Sequence, residues 1–220
     1  MAERSPWRRY PARLGVGLLI LLPLPFVLHA LDRGWSLGDP LAMAQSRLFH
    51  PGAALGNIAI HGHMVLGGVL TLLAPLQLVS VVRRRWPRLH HWNGRIVASA
   101  AILTGLGGLI YIVGHGTIGG WSMSFGFALY GLLMIVVALL AIRTAMARSP
   151  DHPLWAGHLV ILALASWIYR VHYGLWVGLV GEVATNPDFT GTFDRVQNWA
   201  FYLPYMAIWH LIWLRRRAKS

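Results

Sequence analysis

Eleven histidines and no cysteine leave imidazole as the only strong nitrogen ligand of this 220-residue chain. Disulfides, thiolate catalysis, Cys-held iron–sulfur clusters and covalent c-type haem are excluded on that ground. The sharpest histidine spacing is between His158 and His172. Fourteen helical steps return to nearly the same face about 21 Å along the axis. That separation resembles the ligand spacing of two-haem transmembrane b-type cytochromes. It makes His63, His90, His158 and His172 candidate haem ligands and haem b the cofactor such a pattern would take. The second helix of such a pair does not match, because Gln77 stands fourteen residues after His63. His61 and His63 are two residues apart, which on a helix turns them about 200° from each other, so one of them at most can face a given site. Each histidine also has a plain structural reading, as a helix-end group bonded to carbonyls, water or headgroups.

Arg170 is the second chemical signal. A guanidinium deep in an apolar segment costs about 2.5–3.5 kcal/mol on insertion scales. It is therefore expected to point into a helix bundle, toward an anion or several acceptors. The nearest acid along the chain is Glu182, and none lies in the middle of the apolar segments. Arg170 and Arg95 are candidate anion contacts. His172 is expected on the far side of the helix from Arg170.

These residues must be held by helices in lipid. The chain is 56% hydrophobic and only 12% charged. A helix needs about 20 apolar residues to cross a bilayer. Six segments qualify, at about 14–31, 58–82, 96–114, 122–142, 154–180 and 199–214. The predicted fold is an all-α transmembrane bundle forming a single membrane domain, with Pro23 and Pro25 kinking the first span. That first segment also resembles a secretory signal, with Arg4, Arg8, Arg9 and Arg13 before an apolar run. Leu28, where a small residue should precede cleavage, argues that it is retained. Gly174 and Gly178, at four-residue spacing, together with the glycines of the third span, are expected to mark close helix packing. In the first long loop, Asp39-Pro40 predicts a capped short helix.

Fifteen of the nineteen Lys and Arg residues fall in the two tails (1–13 and 215–220), the second-to-third loop and the fourth-to-fifth loop. Basic residues are retained on the cytoplasmic side, which predicts both termini inside. Clusters between apolar stretches, rather than a soluble basic face, exclude nucleic acid as the partner of the +12 net charge. Arg83, Arg84, Arg85, Arg88 and Arg95 suit anionic lipid headgroups instead.

Around the second and third spans the residues form a recognisable series. His63 is followed by Ala74-Pro75-Leu76-Gln77, then by Arg83-Arg84-Arg85-Trp86-Pro87-Arg88-Leu89-His90-His91-Trp92-Asn93-Gly94-Arg95. His152, Trp155 and Arg170 continue it. Over about residues 58–175 this resembles the bacterial membrane-protein family called domain of unknown function 2306. The resemblance implies a multi-pass protein of the bacterial inner membrane and marks His63, Gln77, His90, Arg95, His152 and Arg170. His91 and His158 stand where the family carries Arg, which makes a haem pair at His158 and His172 peculiar to this chain. The reading favoured by the sequence is a non-catalytic membrane subunit or a protein that binds a lipid or another small ligand. The alternative is a b-type haem redox protein exchanging electrons with quinone or with a membrane protein partner. Transport is disfavoured because no intramembrane acid offers a proton relay.

Overall fold

A computed structural model describes residues 10–219. The N-terminal arginines Arg4, Arg8 and Arg9 of the signal-like flank, and Ser220, lie outside the described residues. Every regular element among the described residues is helical: α1 (Tyr10–Leu21), α2 (Leu24–Trp35), α3 (Pro40–Ala44), α4 (Ala54–Leu73), α5 (Ser80–Arg85), α6 (Pro87–His115), α7 (Gly120–Met146), α8 (His152–Val180), α9 (Thr192–Ala200) and α10 (Leu203–Arg217). Five stretches are long and apolar enough to cross a membrane: Leu14–Trp35, Ala54–Leu78, Pro87–His115, Gly120–Met146 and His152–Val180.

The prolines decide where these spans bend. Pro23, fully buried, separates α1 from α2 and begins the bend expected there. Pro75 ends α4 at Leu73 and turns Ala74–Leu78 into a 3₁₀ helix. The helix predicted to run to Val82 therefore stops nine residues earlier, because a proline ring clashes with the preceding turn. Conversely, α6 begins at Pro87, a residue that suits a first turn, and so absorbs the His90-to-Arg95 motif into the helix. The segment predicted as a sixth span is two helices. The chain breaks at Phe201 and Tyr202 ahead of Pro204, and both aromatic side chains are fully buried. The Tyr202 hydroxyl donates to the Gly126 carbonyl of α7 at 3.0 Å. The α9–α10 pair runs antiparallel to the whole of α8. At one end Phe193 N donates to Ala184 O at 2.9 Å, and at the other Arg217 pairs with Asp151 at 2.6 Å.

The core lies where α4, α6, α7 and α8 meet, around Leu70, Val97, Met134, Leu162 and Ala163. Close approach of α6 and α7 depends on Gly105, where an added Cβ would strike the Gly131 carbonyl. Gly126 likewise faces the backbone of Asn198 in α9. Gly174 and Gly178, by contrast, meet nothing within 4 Å, so they do not mark the packing seam expected of them. The seam needs small residues where two backbones cross, and the last third of α8 has no helix pressed against that side. The short capped helix is as predicted: Asp39 accepts from Leu41 N at 2.9 Å and Ala42 N at 3.3 Å.

Candidate functional site

Between α4, α6, α7 and α8 lies a cavity of about 720 Å³, bordered near its mouth by Arg47, His50, His115 and Phe189. Its deep part is lined by His63, Thr104, Tyr130, Ser166, Tyr169 and Arg170. A second, smaller cavity reaches toward α2 through Phe26, His29 and Arg33, and it shares His63, Tyr130 and Arg170 with the first.

Arg170 sits ten residues before the end of α8, about 15 Å along the axis. One guanidinium nitrogen donates to the Ser166 carbonyl at 2.9 Å, and the group lies over the Phe26 ring at 4.5 Å from its centroid. The residue keeps accessible surface and borders both cavities. No Asp or Glu lines either cavity, and among the described residues no carboxylate pairs with Arg170. A guanidinium has five N–H donors in a fixed fork, so most of its donor capacity remains.

Acceptors complete the floor. His63 Nδ1 lies 2.8 Å from the Thr104 carbonyl. A carbonyl only accepts, so Nδ1 carries the proton and, in the neutral ring, Nε2 presents a lone pair. The Tyr130 hydroxyl donates to Leu162 O at 2.6 Å, so its oxygen is the acceptor in the 3.4 Å contact with Ser166 Oγ. Tyr169 donates to Tyr173 at 3.3 Å, and Tyr173 donates to Asp194 at 2.7 Å. Asp194 is fully buried and also accepts from Thr185 Oγ1, Asn186 N and Gly191 N. It fastens the 181–191 loop beside the end of α8.

The mouth is formed by a loop held in place by histidine. His50 and His115 stack at 4.3 Å with planes 9° apart, and His50 Nε2 lies 3.1 Å from the Tyr111 hydroxyl. That hydroxyl donates to Leu48 O at 3.1 Å, so the imidazole is the donor in the first contact.

The remaining site candidates are dispersed. His172 faces α9 and α10: its Nδ1 is 2.9 Å from Gln197 Nε2 and 3.1 Å from Oε1, and its Nε2 is 2.8 Å from the Tyr205 hydroxyl. His158 shares that face of α8, as the spacing predicts, with Nε2 3.4 Å from His210 Nδ1. His90 is at the opposite end of the bundle, its carbonyl accepting from Gln77 Nε2 at 3.3 Å. Arg95 is exposed over the Trp92 ring at 5.1 Å. Of the four candidate haem ligands, His63 alone lines the large cavity, and the structure brings no two of them to that space. His61 turns away from the cavity and bonds Asn57 O of its own helix at 2.8 Å. Sequence reasoning missed Tyr130, Tyr169, Ser166 and Thr104. Each is a polar atom in the middle of a span, which is the signal that singled out Arg170.

Length, apolarity and an all-helical core with a polar cavity define a polytopic helical membrane protein. A family model described as "Predicted membrane protein (DUF2306)" matches residues 60–213, and the chain belongs to that family. Comparison with curated proteins and with solved structures returned no match.

Proposed function

We propose that this membrane protein binds a small ligand, holding an anionic or strongly accepting group at Arg170. The observation that carries the reading is a cavity of about 720 Å³ with a guanidinium at its floor and no carboxylate in its lining. An uncompensated cation among helices is costly, and a bound acceptor offsets that cost. Charge-assisted hydrogen bonds from the planar fork fix the orientation of the group they hold. In this reading the chain is one membrane domain that crosses the bacterial inner membrane six times, with α9 and α10 together making the last crossing. The arginine-rich end lies in the cytoplasm against anionic headgroups.

Benzoate is a suitable probe, since it combines a carboxylate with a ring matched to the aromatic walls. At about 100 times its dissociation constant it should stabilise the detergent-solubilised protein against heat by about 2.7 kcal/mol. Arg170→Gln should lose this stabilisation while eluting as a single species like the parent. Equal stabilisation of parent and variant, or none in the parent, overturns the proposal.

A further inference from the structure

Outside the cavity, the end of α6 and the first turns of α7 border an apolar groove of about 470 Å³ on the surface of the bundle. The groove and the cavity share Ile112, Gly116 and Thr117 as lining residues, so they adjoin at the end of α6. Val113, Trp121 and Phe125 in the groove are 87%, 81% and 61% exposed, and no charged residue lines it. A surface of this kind belongs against hydrocarbon. The cavity, with its guanidinium and imidazole lone pair, and the lipid-facing groove thus lie on the two sides of Ile112, Gly116 and Thr117.

Resting on the ligand-binding reading above, we infer that the ligand is a single-tailed amphiphile with an acidic hydroxyl head, entering from the bilayer between α6 and α7. One head oxygen accepts from Arg170, and its hydroxyl donates to His63 Nε2. The tail follows the cavity wall past Ile112 and lies in the groove at Val113 and Phe125. A carboxylic acid and a phenol both present this pairing of acceptor and acidic donor. A quaternary amine presents neither. The groove runs from the last turn of α6 to the third turn of α7, beside the cavity, so the head can pass in first and leave the tail against lipid.

The test uses the full chain in phosphatidylcholine nanodiscs with a dodecanoic acid bearing a diazirine at its far end. Photolabelling should concentrate on residues 113–125. Excess unlabelled dodecanoic acid or 4-dodecylphenol should compete it away, and whichever competes better identifies the head. Dodecyltrimethylammonium should not compete. Arg170→Gln should lower specific labelling about tenfold, the loss of one charge-assisted contact. Ala128→Trp and Val113→Trp, which fill the groove away from the polar floor, should abolish competition by the long-chain acid yet leave the thermal stabilisation by benzoate intact. Labelling spread evenly over the lipid-facing helices, or unchanged by both groove-filling variants, overturns the inference. If benzoate stabilises the protein but the long-chain acids do not compete, entry is from the aqueous mouth: the inference fails and the proposed function stands. If neither binds the parent chain, both fail.

Discussion

The two faces of α8 carry similar residues under opposite conditions. On the side toward α9 and α10, His172 finds Gln197 and Tyr205, His158 meets His210, and Trp209 Nε1 donates to Leu154 O at 3.0 Å. On the other side Arg170, Tyr169 and Ser166 line a cavity. The first face uses His172 and Trp209 to hold helices together, although His158 Nδ1 is left without a partner. The second keeps most of the donor capacity of Arg170 unspent. A polar residue in a membrane span is expensive in either setting, and what separates a structural role from a binding role is whether the protein itself satisfies it.

That comparison breaks most visibly at Asp194. Replacing it by Ala leaves Tyr173, Thr185, Gly191 N and Asn186 N without their acceptor in a fully buried place. The expected loss is about 3–5 kcal/mol in a thermal or denaturant unfolding experiment in detergent, the range for disrupting a buried charged network. A loss under about 1 kcal/mol would show that the loop network is dispensable. Next comes Gly157→Ala on α8, whose new Cβ would strike the Trp209 indole. Overpacking at such a contact costs about 1–3 kcal/mol, and the change should part α10 from α8, read as faster proteolysis after Arg215. If Gly157→Ala unfolds like the parent, the α8–α10 contact is looser than described.

His172→Phe tests the paired face more gently. It keeps a ring beside Tyr205 but removes both nitrogens, for an expected cost of about 1 kcal/mol, in keeping with measured interhelical hydrogen bonds in membranes. It should not alter benzoate binding, because His172 does not line the cavity; weaker binding in this variant would merge the two faces into one site. The smallest effect on stability is expected at Arg170→Leu. This removes one hydrogen bond and one contact with Phe26, and it also relieves a cation without an acidic partner. Unfolding should shift by less than about 1 kcal/mol while ligand binding disappears. A large destabilisation would place Arg170 with the structural residues.

Much of the frame was legible in the residue order, and particular elements show why. Apolar length reports the membrane spans, and the family motif from His63 to Arg95 could be read as a string. Asp39-Pro40 predicted its own helix because a cap is made within three residues. The proline at 75 was equally visible, yet its consequence, a helix stopping at Leu73, depends on where neighbouring turns have space to tighten. Gly174 and Gly178 carried the right spacing for packing and face nothing, while Gly105, one of the third-span glycines expected at a close approach, meets Gly131 across two helices.

What the sequence determined by itself was the solvent, the helical class, the family, and the angular relation between Arg170 and His172. The family follows from the motif string between His63 and Arg95, and the others from composition and the 3.6-residue period, which are local. Only the tertiary structure decided that Arg170 and His63 share a cavity, that His158 and His172 face α10, and that α9 and α10 break at Phe201 and Tyr202 to bury both rings. The physical reason is that periodicity fixes which face a residue occupies, whereas a site needs the identity of the helix opposite that face. That is set by packing between segments as far apart in sequence as His63 and Arg170.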